Sequence, residues 1–202
     1  MELIVATKNK KKFQEIAEIL QGAGLSITSL LDYPVRVRIV ENGKTFKANA
    51  IKKAVKIARV FKKLAIGEDS GLCIDALRGG PGVYSSRFSG KNKSDNQNNA
   101  KVLKLLKGKP LTMRKAHYAC AVAVADERGL IGVAEGRCSG VIGYQLKGTH
   151  GFGYDPLFLI PKYKKTFAEL GPRIKHKMSH RFRALAKARE IIQKYIEKHR
   201  AS

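Results

Sequence analysis

The chain has 202 residues, which suits one large domain or two closely packed lobes, and 44% of them are hydrophobic, enough for a buried core. Its longest apolar runs are too short to span a bilayer, and residues 1–5 lack the basic and long apolar regions of a signal peptide. The three cysteines are odd in number and have no CxxC spacing, which argues against a disulfide framework. We therefore expect a single domain over residues 1–202, in the cytoplasm and not attached to a membrane.

The most unusual bulk property is the net charge of +24 at pH 7. Dense lysine suits a nucleic acid, because binding releases condensed counterions. However, the lysines are spread along the chain, and few aromatic residues are interleaved with them as a single-strand stacking platform requires. The charge therefore favours anionic ligands in general, and it does not favour nucleic acid as the main partner.

The first part of the chain alternates apolar and amphipathic segments. Residues 2–6 are typical of a buried strand, and Asn9 is placed to cap a helix that ends near Leu20. A second helix is predicted from about Thr45 to Phe61, because apolar residues recur there at helical spacing.

The next segments are predicted to be short. Residues 64–67 and 72–74 are expected to form two strands on either side of a polar turn. A third helix, capped by Asp95, is expected to bury Ala100, Leu103 and Leu106.

The second half of the chain changes period. Residues 116–125 and 130–138 are predicted to form a hairpin around the turn 126–129, and residues 157–160 add another strand. The last helix is expected over residues 179–198. Because helices and strands mix and a hairpin is present, we predict an α/β protein with a mixed sheet.

A polar and basic segment lies between the first strand and the first helix and ends in Lys10, Lys11 and Lys12. Backbone N–H groups at a helix start attract an anion, whereas lysines there oppose the helix dipole. A bound phosphate would make those lysines stabilising. Phosphate binding and a solvated basic turn are both compatible with this segment by itself.

Two adjacent acids, Glu68 and Asp69, follow residues 64–67, and Ser70 and a glycine come next. On a tight turn they would present the hard oxygen ligands that Mg²⁺ prefers, together with waters and substrate phosphates. Glu41 is a candidate third carboxylate. An acidic turn is also often only solvated, so this segment does not decide the matter alone.

Two later segments suit contacts with a ligand. Residues 148–156 are rich in glycine and contain Phe152 and Tyr154, which suits a close backbone approach and ring stacking. Ser179 is placed to cap the last helix, with His180 and Arg181 in its first turn, where cations indicate an anionic or polar ligand. The alternative for the first segment is a glycine-rich bend with packed aromatic rings, and the alternative for the second is an ordinary surface helix start.

Together, the order and spacing of these segments resemble the inosine triphosphate pyrophosphatase family. The matching segments cover nearly the whole chain: Ala6-Thr7-x-Asn9-x-x-Lys12-x-x-Glu15, Thr45-Phe46-x-x-Asn49-Ala50-x-x-Lys53-Ala54, Glu68-Asp69-Ser70-Gly71-Leu72, Gly80-Pro81-Gly82-Val83-Tyr84-Ser85-Ser86-Arg87, Gly151-Phe152-Gly153-Tyr154-Asp155-Pro156 and Ser179-His180-Arg181. Two positions depart from the family's pattern: Lys8 stands where glycine is frequent, and Ala48 stands where many members have glutamate.

The resemblance implies an elongated α/β fold, with a mixed central β-sheet flanked by helices, two lobes and an active-site cleft between them. It also implies a homodimer and the Mg²⁺-dependent hydrolysis of ITP, dITP and XTP to the nucleoside monophosphate and pyrophosphate. Two alternatives stay open: a basic nucleic-acid-binding protein, and a pyrophosphatase for another standard or modified nucleotide.

The resemblance also implies roles for individual residues. Asp69 would accept a proton from water and bind the metal with Glu41 and Glu68, and Lys12 and Lys53 would assist catalysis. The substrate-binding residues implied by the resemblance are Thr7, Lys8, Asn9, Lys10, Lys11, Lys12, Ser70, Phe152, Gly153, Tyr154, Asp155, Lys175, His180 and Arg181.

Recognition of the base would depend on its 6-oxo group. A donor from His180 or Arg181 would pair with the 6-oxo group of hypoxanthine or xanthine, whereas the amino group of adenine would leave a donor facing a donor. An unpaired buried polar group costs about 1–3 kcal/mol, so ATP is rejected. GTP also has a 6-oxo group, so the 2-position must be read elsewhere.

Overall fold

The computed structural model describes residues 1–22, 24–35, 37–90 and 94–200, and of Arg200 it describes only the backbone. The strands are β1 (Glu2–Val5), β2 (Ser26–Ser29), β3 (Leu64–Ile74), β4 (Lys115–Asp126), β5 (Gly129–Ile142), β6 (Phe158–Ile160) and β7 (Lys165–Thr166). The helices are α1 (Lys10–Leu20), α2 (Phe46–Phe61), α3 (Asp95–Leu105), α4 (Phe167–Met178) and α5 (His180–Arg200). None of these helices has the length and apolar character needed to cross a bilayer.

The strands form one mixed sheet in the order β2-β1-β3-β4-β5-β6-β7. β1 is parallel to both of its neighbours, β2 and β3. In this register Leu3 lies opposite Ile27 of β2 and Leu64 of β3. The other end of the sheet is antiparallel, with β6 paired to β5 and to β7. The predicted α/β class with a mixed sheet is therefore confirmed.

The predicted elements with clear caps are also confirmed. The Asn9 side chain accepts the Lys12 N–H at the start of α1, and the Thr45 side chain accepts the Ala48 N–H at the start of α2. The hairpin predicted around residues 126–129 joins β4 to β5.

Two sequence predictions, for β3 and for the cap of α3, were wrong. The two short strands around a polar turn are one continuous strand, β3, because its polar residues find partners on both faces of the sheet. The cap of α3 is Ser94, whose side chain accepts the Gln97 N–H, and Asp95 is already the first helical residue.

The buried face of α3 also differs from the prediction. Ala100 is exposed, whereas Leu106 is buried as predicted and Leu103 is partly buried; the buried residues within the helix are Asn98, Asn99 and Val102. Apolar spacing did not reveal this face because two of its members are amides. Strands β2 and β7 and helix α4 were not predicted. Helix α4 is kinked at Gly171, whose backbone is not helical (φ 72°, ψ 176°), and Pro172 follows it.

The chain divides into two compact units, each with its own apolar clusters. The first comprises Met1–Asp69, Cys120–Gly136 and His180–Ser202, and the second comprises Ser70–Ala119 and Arg137–Ser179. In the second unit the core is aromatic, with Tyr118, Phe158 and Phe167 in mutual contact. The single domain, the elongated shape and the cleft remain predictions.

The first unit buries residues on both faces of its strands. Leu3 and Ile66 face a cluster that includes α1 and α5, whereas Ile4 and Ala65 face a cluster that includes α2. Successive residues of a strand point to opposite faces, so the same alternation decides where the residues after Ile66 point.

Gly67 of β3 lets α2 lie directly against the sheet. A Cβ at this position would overlap the Ala50 carbonyl oxygen and would lie 2.6 Å from the Ala54 nitrogen of α2. Both are backbone atoms, which cannot move without the whole helix. The close approach therefore requires glycine.

We expect Gly67→Ala to lower the free energy of unfolding by about 1–3 kcal/mol, the usual cost of overpacking, and to reduce the activity as α2 shifts. Chemical denaturation measures the first effect. Gly132→Ala is the matched control, because its Cβ would meet only side-chain carbons of Ile191, at 3.2 Å and beyond. Equal stability of Gly67→Ala and the wild type would contradict the requirement.

Candidate active site

The adjacent acids Glu68 and Asp69 point to opposite faces of β3. Asp69 contacts residues of α2, and Glu68 contacts residues of α1 and α5. The continuous strand explains this separation, because neighbouring side chains on a strand alternate. The two acids are therefore held in different surroundings, although they are neighbours in sequence.

Both oxygens of the Asp69 carboxylate are held by α2. Asn49 Nδ2 donates to Asp69 Oδ2 at 3.0 Å, and Lys53 Nζ lies 3.2 Å from Asp69 Oδ1. The same ammonium lies 2.9 Å from Oε2 of Glu41, and the Asn49 amide oxygen accepts the Gly43 N–H. The segment before α2 and the helix itself thus converge on one buried acid.

Burial is the largest influence on the Asp69 carboxyl and raises its pKa above the ordinary value, although Lys53 and Asn49 act in the opposite direction. Burial alone would lower the pKa of Lys53, but the carboxylates of Asp69, Glu41 and Glu68 outweigh it and raise that pKa. Lys53 therefore stays an ammonium. Asp69 is a carboxylate with an increased tendency to take a proton, as a general base requires.

Glu68 is the acceptor of a buried ionic network. Arg181 Nη2 lies 3.0 Å from its Oε1 and Lys12 Nζ lies 2.9 Å from its Oε2. The Arg181 guanidinium also pairs with Glu15 of α1, and the Cys120 thiol donates to Glu68 Oε1 at 3.4 Å. The Arg181 and Glu68 side chains are each only 2% exposed. This network links α1, β3, β4 and α5.

The electrostatics of this network differ from those around Asp69. Burial lowers the pKa of Arg181, but Glu68 and Glu15 overcome it and raise that pKa, so the guanidinium stays charged. Burial, followed by the neighbouring Glu68, raises the pKa of the Cys120 thiol well above its ordinary value. Cys120 is therefore a neutral hydrogen-bond donor here.

The start of α1 has the basic character that the sequence predicted. Thr7 Oγ1 accepts the Asn9 N–H at 3.1 Å, which orders the turn before the helix. The side chains of Lys8, Lys10 and Lys11 are exposed, and the first turn of α1 contains no acid. The result is a helix N-terminus surrounded by ammonium groups, a suitable site for phosphate.

The acids that surround Lys53 suit a hard divalent cation. Mg²⁺ commonly takes one or two carboxylates from a protein and completes its shell with water and phosphate oxygens. Glu41 and Asp69 already converge on one cation, the Lys53 ammonium. In the described part of the chain, no group of three His, Cys, Asp or Glu residues is arranged as a metal site.

In the second unit the predicted ligand-binding residues form an ordered loop. Asp155 Oδ2 accepts the Phe152 N–H at 2.9 Å and lies 2.7 Å from Lys175 Nζ. The Lys175 ammonium is 4.9 Å from the centre of the Phe152 ring. Gly151 has a φ of +80°, and a Cβ there would overlap the Asp155 carboxylate, so glycine is required.

The loop presents one ring more openly than the other. Tyr154 is buried, and its hydroxyl donates to the Ser85 carbonyl oxygen at 2.7 Å. Phe152 is only half-buried. Gly153 has a φ of +64°, and the space where a Cβ would stand has no atom within 4 Å.

The predicted site residues thus separate into two groups. The first unit contains Thr7 to Lys12, Glu41, Lys53, Glu68, Asp69, His180 and Arg181. The second unit contains Ser70, Phe152 to Asp155 and Lys175. His180 is buried beside Arg181 at the start of α5. Sequence reasoning did not assign roles to five further residues that hold these groups: Glu15, Asn49, Asp95, Asn99 and Cys120.

Two of these five residues had a signal in the sequence. Glu15 and Asn49 lie within the family-like segments and so had a signal in the sequence, whereas Asp95, Asn99 and Cys120 had none.

Comparison with known proteins agrees with the fold and with the motifs. The chain is 50% identical over 194 residues to a dITP/XTP pyrophosphatase of Desulforamulus reducens, with 96% of each chain covered. It is 48% identical over 184 residues to a dITP/XTP pyrophosphatase of Halalkalibacterium halodurans, which covers 91% of this chain and 95% of that protein.

Solved structures give the same result. A HAM1 protein from Coxiella burnetii superposes with a TM-score of 0.86 at 35% identity, over 96% of this chain and 99% of the other. The Ham1 protein of Staphylococcus aureus has a TM-score of 0.84 at 34% identity, over 98% and 100%. The profile of the Ham1 family matches residues 3–191, and the chain therefore belongs to the Ham1 family.

Proposed function

We propose that this protein hydrolyses the non-canonical purine nucleotides ITP, dITP and XTP to the nucleoside monophosphate and pyrophosphate. The observation that carries the proposal is the buried Asp69 carboxylate, held by Asn49 and Lys53 in a chain closely similar to dITP/XTP pyrophosphatases. The acids beside the phosphate-binding lysines do not favour the alternative of a nucleic-acid-binding protein, because carboxylates repel phosphate.

Asp69 would act as the general base. Formation of a monophosphate and pyrophosphate requires cleavage of the anhydride bond between the α- and β-phosphates, with water supplying the new P–O bond. Asp69 accepts the proton of that water, which its raised pKa favours. Asn49 and Lys53 fix both carboxylate oxygens, so the base is already oriented before the substrate binds.

The lysines of the first unit would bind the triphosphate. Lys8, Lys10 and Lys11 provide exposed ammonium groups, and Thr7 and Asn9 order the backbone N–H groups at the start of α1. Charge that develops on the departing pyrophosphate is stabilised by such preorganised cations. Lys12 and Lys53 would assist catalysis in the same way.

Glu41 and Asp69 would hold a Mg²⁺ ion. Bound Mg²⁺ supplies charge neutralisation, which lets a triphosphate approach the acidic residues. Glu68 is the proposed third metal ligand, and its oxygens also contact Lys12, Arg181 and Cys120. We therefore propose that Glu68 also holds Lys12 in place.

The loop of the second unit would bind the nucleotide base. Phe152 is the half-buried ring, so we propose that it stacks on the purine while Tyr154 supports the loop. Lys175 and Asp155 form an ion pair below this ring and would contact polar groups of the nucleotide together with Ser70. His180 and Arg181 remain the proposed donors to the 6-oxo group.

We further propose that the protein is a homodimer and acts in the cytoplasm. The homodimer is implied by the family resemblance alone. The three cysteines form no disulfide, which suits a reducing compartment where nucleotide pools are maintained.

The proposed reaction is tested by product analysis with ITP. We expect IMP and pyrophosphate in equal amounts, no orthophosphate, and loss of turnover when EDTA removes divalent metal, restored by added Mg²⁺. Quantification of pyrophosphate and orthophosphate distinguishes this reaction from stepwise phosphate removal. Release of orthophosphate alone would refute the proposed bond cleavage.

A further inference from the structure

Helix α3 holds the backbone of the loop at Gly153. Asp95 Oδ2 accepts the Gly153 N–H at 2.7 Å, and Asn99 Nδ2 donates to the Gly153 carbonyl oxygen at 2.9 Å. Asp95 and Asn99 are four residues apart on the helix and so lie on the same face. Both polar backbone groups of one loop residue are therefore bound by one helix.

The neighbouring loop residues are held by other groups. The Phe152 N–H is bound by the Asp155 carboxylate, and the Tyr154 hydroxyl is bound to the Ser85 carbonyl oxygen. Gly153 differs, because both hydrogen bonds of its backbone go to α3. The backbone of this loop is thus held at Phe152 by Asp155 and at Gly153 by α3.

The burial of Asn99 supports a specific role. The residue is 2% exposed, and its Oδ1 has no hydrogen-bond partner in the described parts of the chain. A buried amide is unfavourable compared with an apolar residue unless it is bonded. The amide is explained by its hydrogen bond to Gly153.

We propose that Asp95 and Asn99 are positioning residues that set the conformation of the base-binding loop and thereby the affinity for the nucleobase. This inference rests on the proposed function, in which Phe152 stacks on the purine. Both residues act on the loop through the backbone of Gly153. Their loss acts on the binding of the base and leaves the chemical step at Asp69 unchanged.

Two variants remove one anchor each. In Asp95→Ala and Asn99→Leu, we expect the KM for ITP to rise about tenfold, while kcat stays within about twofold of wild type. Asp95→Asn keeps an oxygen that accepts the Gly153 N–H, so its KM should stay within about threefold of wild type. Because Asp95 is exposed, Asp95→Ala and Asp95→Asn together carry the test even if Asn99→Leu fails to fold.

Ser94→Ala is the matched control for a general weakening of α3. The Ser94 side chain caps the helix by accepting the Gln97 N–H, and it does not contact Gly153. We expect this variant to melt at a lower temperature with an unchanged KM. A KM raised as much as in Asp95→Ala would show that helix stability is the cause and would overturn the inference.

Product inhibition separates the base from the phosphates. In Asp95→Ala we expect inhibition by IMP to weaken about tenfold, with inhibition by pyrophosphate unchanged. An unchanged KM in both anchor variants, or equal weakening for IMP and pyrophosphate, would overturn the role of α3. If the wild-type protein releases no pyrophosphate from ITP, the proposed function itself fails, which is a distinct result.

Discussion

Asp69→Asn is expected to reduce kcat by about 10²–10⁴-fold, the usual contribution of a general base, while the protein stays folded. Asparagine retains the shape and one oxygen acceptor, which can serve only one of the donors Asn49 and Lys53, and it cannot take a proton from water. Steady-state pyrophosphate release measures the loss. Asp75→Asn is the control, because Asp75 is an exposed carboxylate that belongs to no part of the proposed site.

The same substitution has two opposing effects on the free energy of unfolding. Burial raises the pKa of Asp69, so its contribution to stability is fully present below the ordinary aspartate pKa of 3.8 and is lost as pH rises through the folded value. At neutral pH the charged, buried form is therefore disfavoured by folding. Asp69→Asn removes this charge, but its amide nitrogen faces either Asn49 or Lys53, both of which are donors, so we expect the free energy of unfolding to change by less than about 3 kcal/mol in either direction.

The pH dependence of turnover follows from the same shift. The rate should fall as the pH decreases through the pKa of Asp69, which burial raises in the protein without metal and which bound Mg²⁺ would lower. Retention of more than about a tenth of the wild-type kcat in Asp69→Asn would remove Asp69 from the role of base.

Arg181→Met is expected to give the largest loss of stability, about 3–5 kcal/mol, because it leaves the Glu15 and Glu68 carboxylates without their buried cation. Methionine fills much of the arginine volume, so the loss reports on charge more than on packing. Chemical denaturation at neutral pH measures it. We expect Arg181→Lys to recover only part, because an ammonium lacks the planar fork that reaches two carboxylates.

The control for Arg181→Met is Lys194→Met, which removes one positive charge from the exposed face of the same helix. We expect this change to alter the free energy of unfolding by less than about 0.5 kcal/mol. A similar effect of the two variants would mean that the ionic network around Glu68 does not stabilise the fold.

Local sequence signals predicted the elements around the site well. Asn9 caps α1 as predicted, and α2 begins beside Thr45, the predicted start, because a helix start depends on neighbours within one helical turn. The basic start of α1 was likewise visible in the sequence. These parts of the site depend on short-range chemistry.

The conformation of β3 could not be predicted in the same way. The acids of residues 68–71 resemble a turn, and the partner that keeps Glu68 on a strand, Arg181, is 113 residues away. The buried face of α3 failed for a related reason, because Asn99 is buried for a hydrogen bond to Gly153, 54 residues later. Long-range polar pairing has no signature in local hydrophobic periodicity.

The central proposal is the preference for non-canonical purines, and kcat/KM for ITP, XTP, GTP and ATP with Mg²⁺ tests it most directly. We expect the values for ITP and XTP to exceed that for ATP by about tenfold or more, because adenine leaves a buried donor unpaired at the 6-position. GTP should also be a poor substrate, through its 2-amino group. Equal kcat/KM values for all four nucleotides would contradict the proposed function.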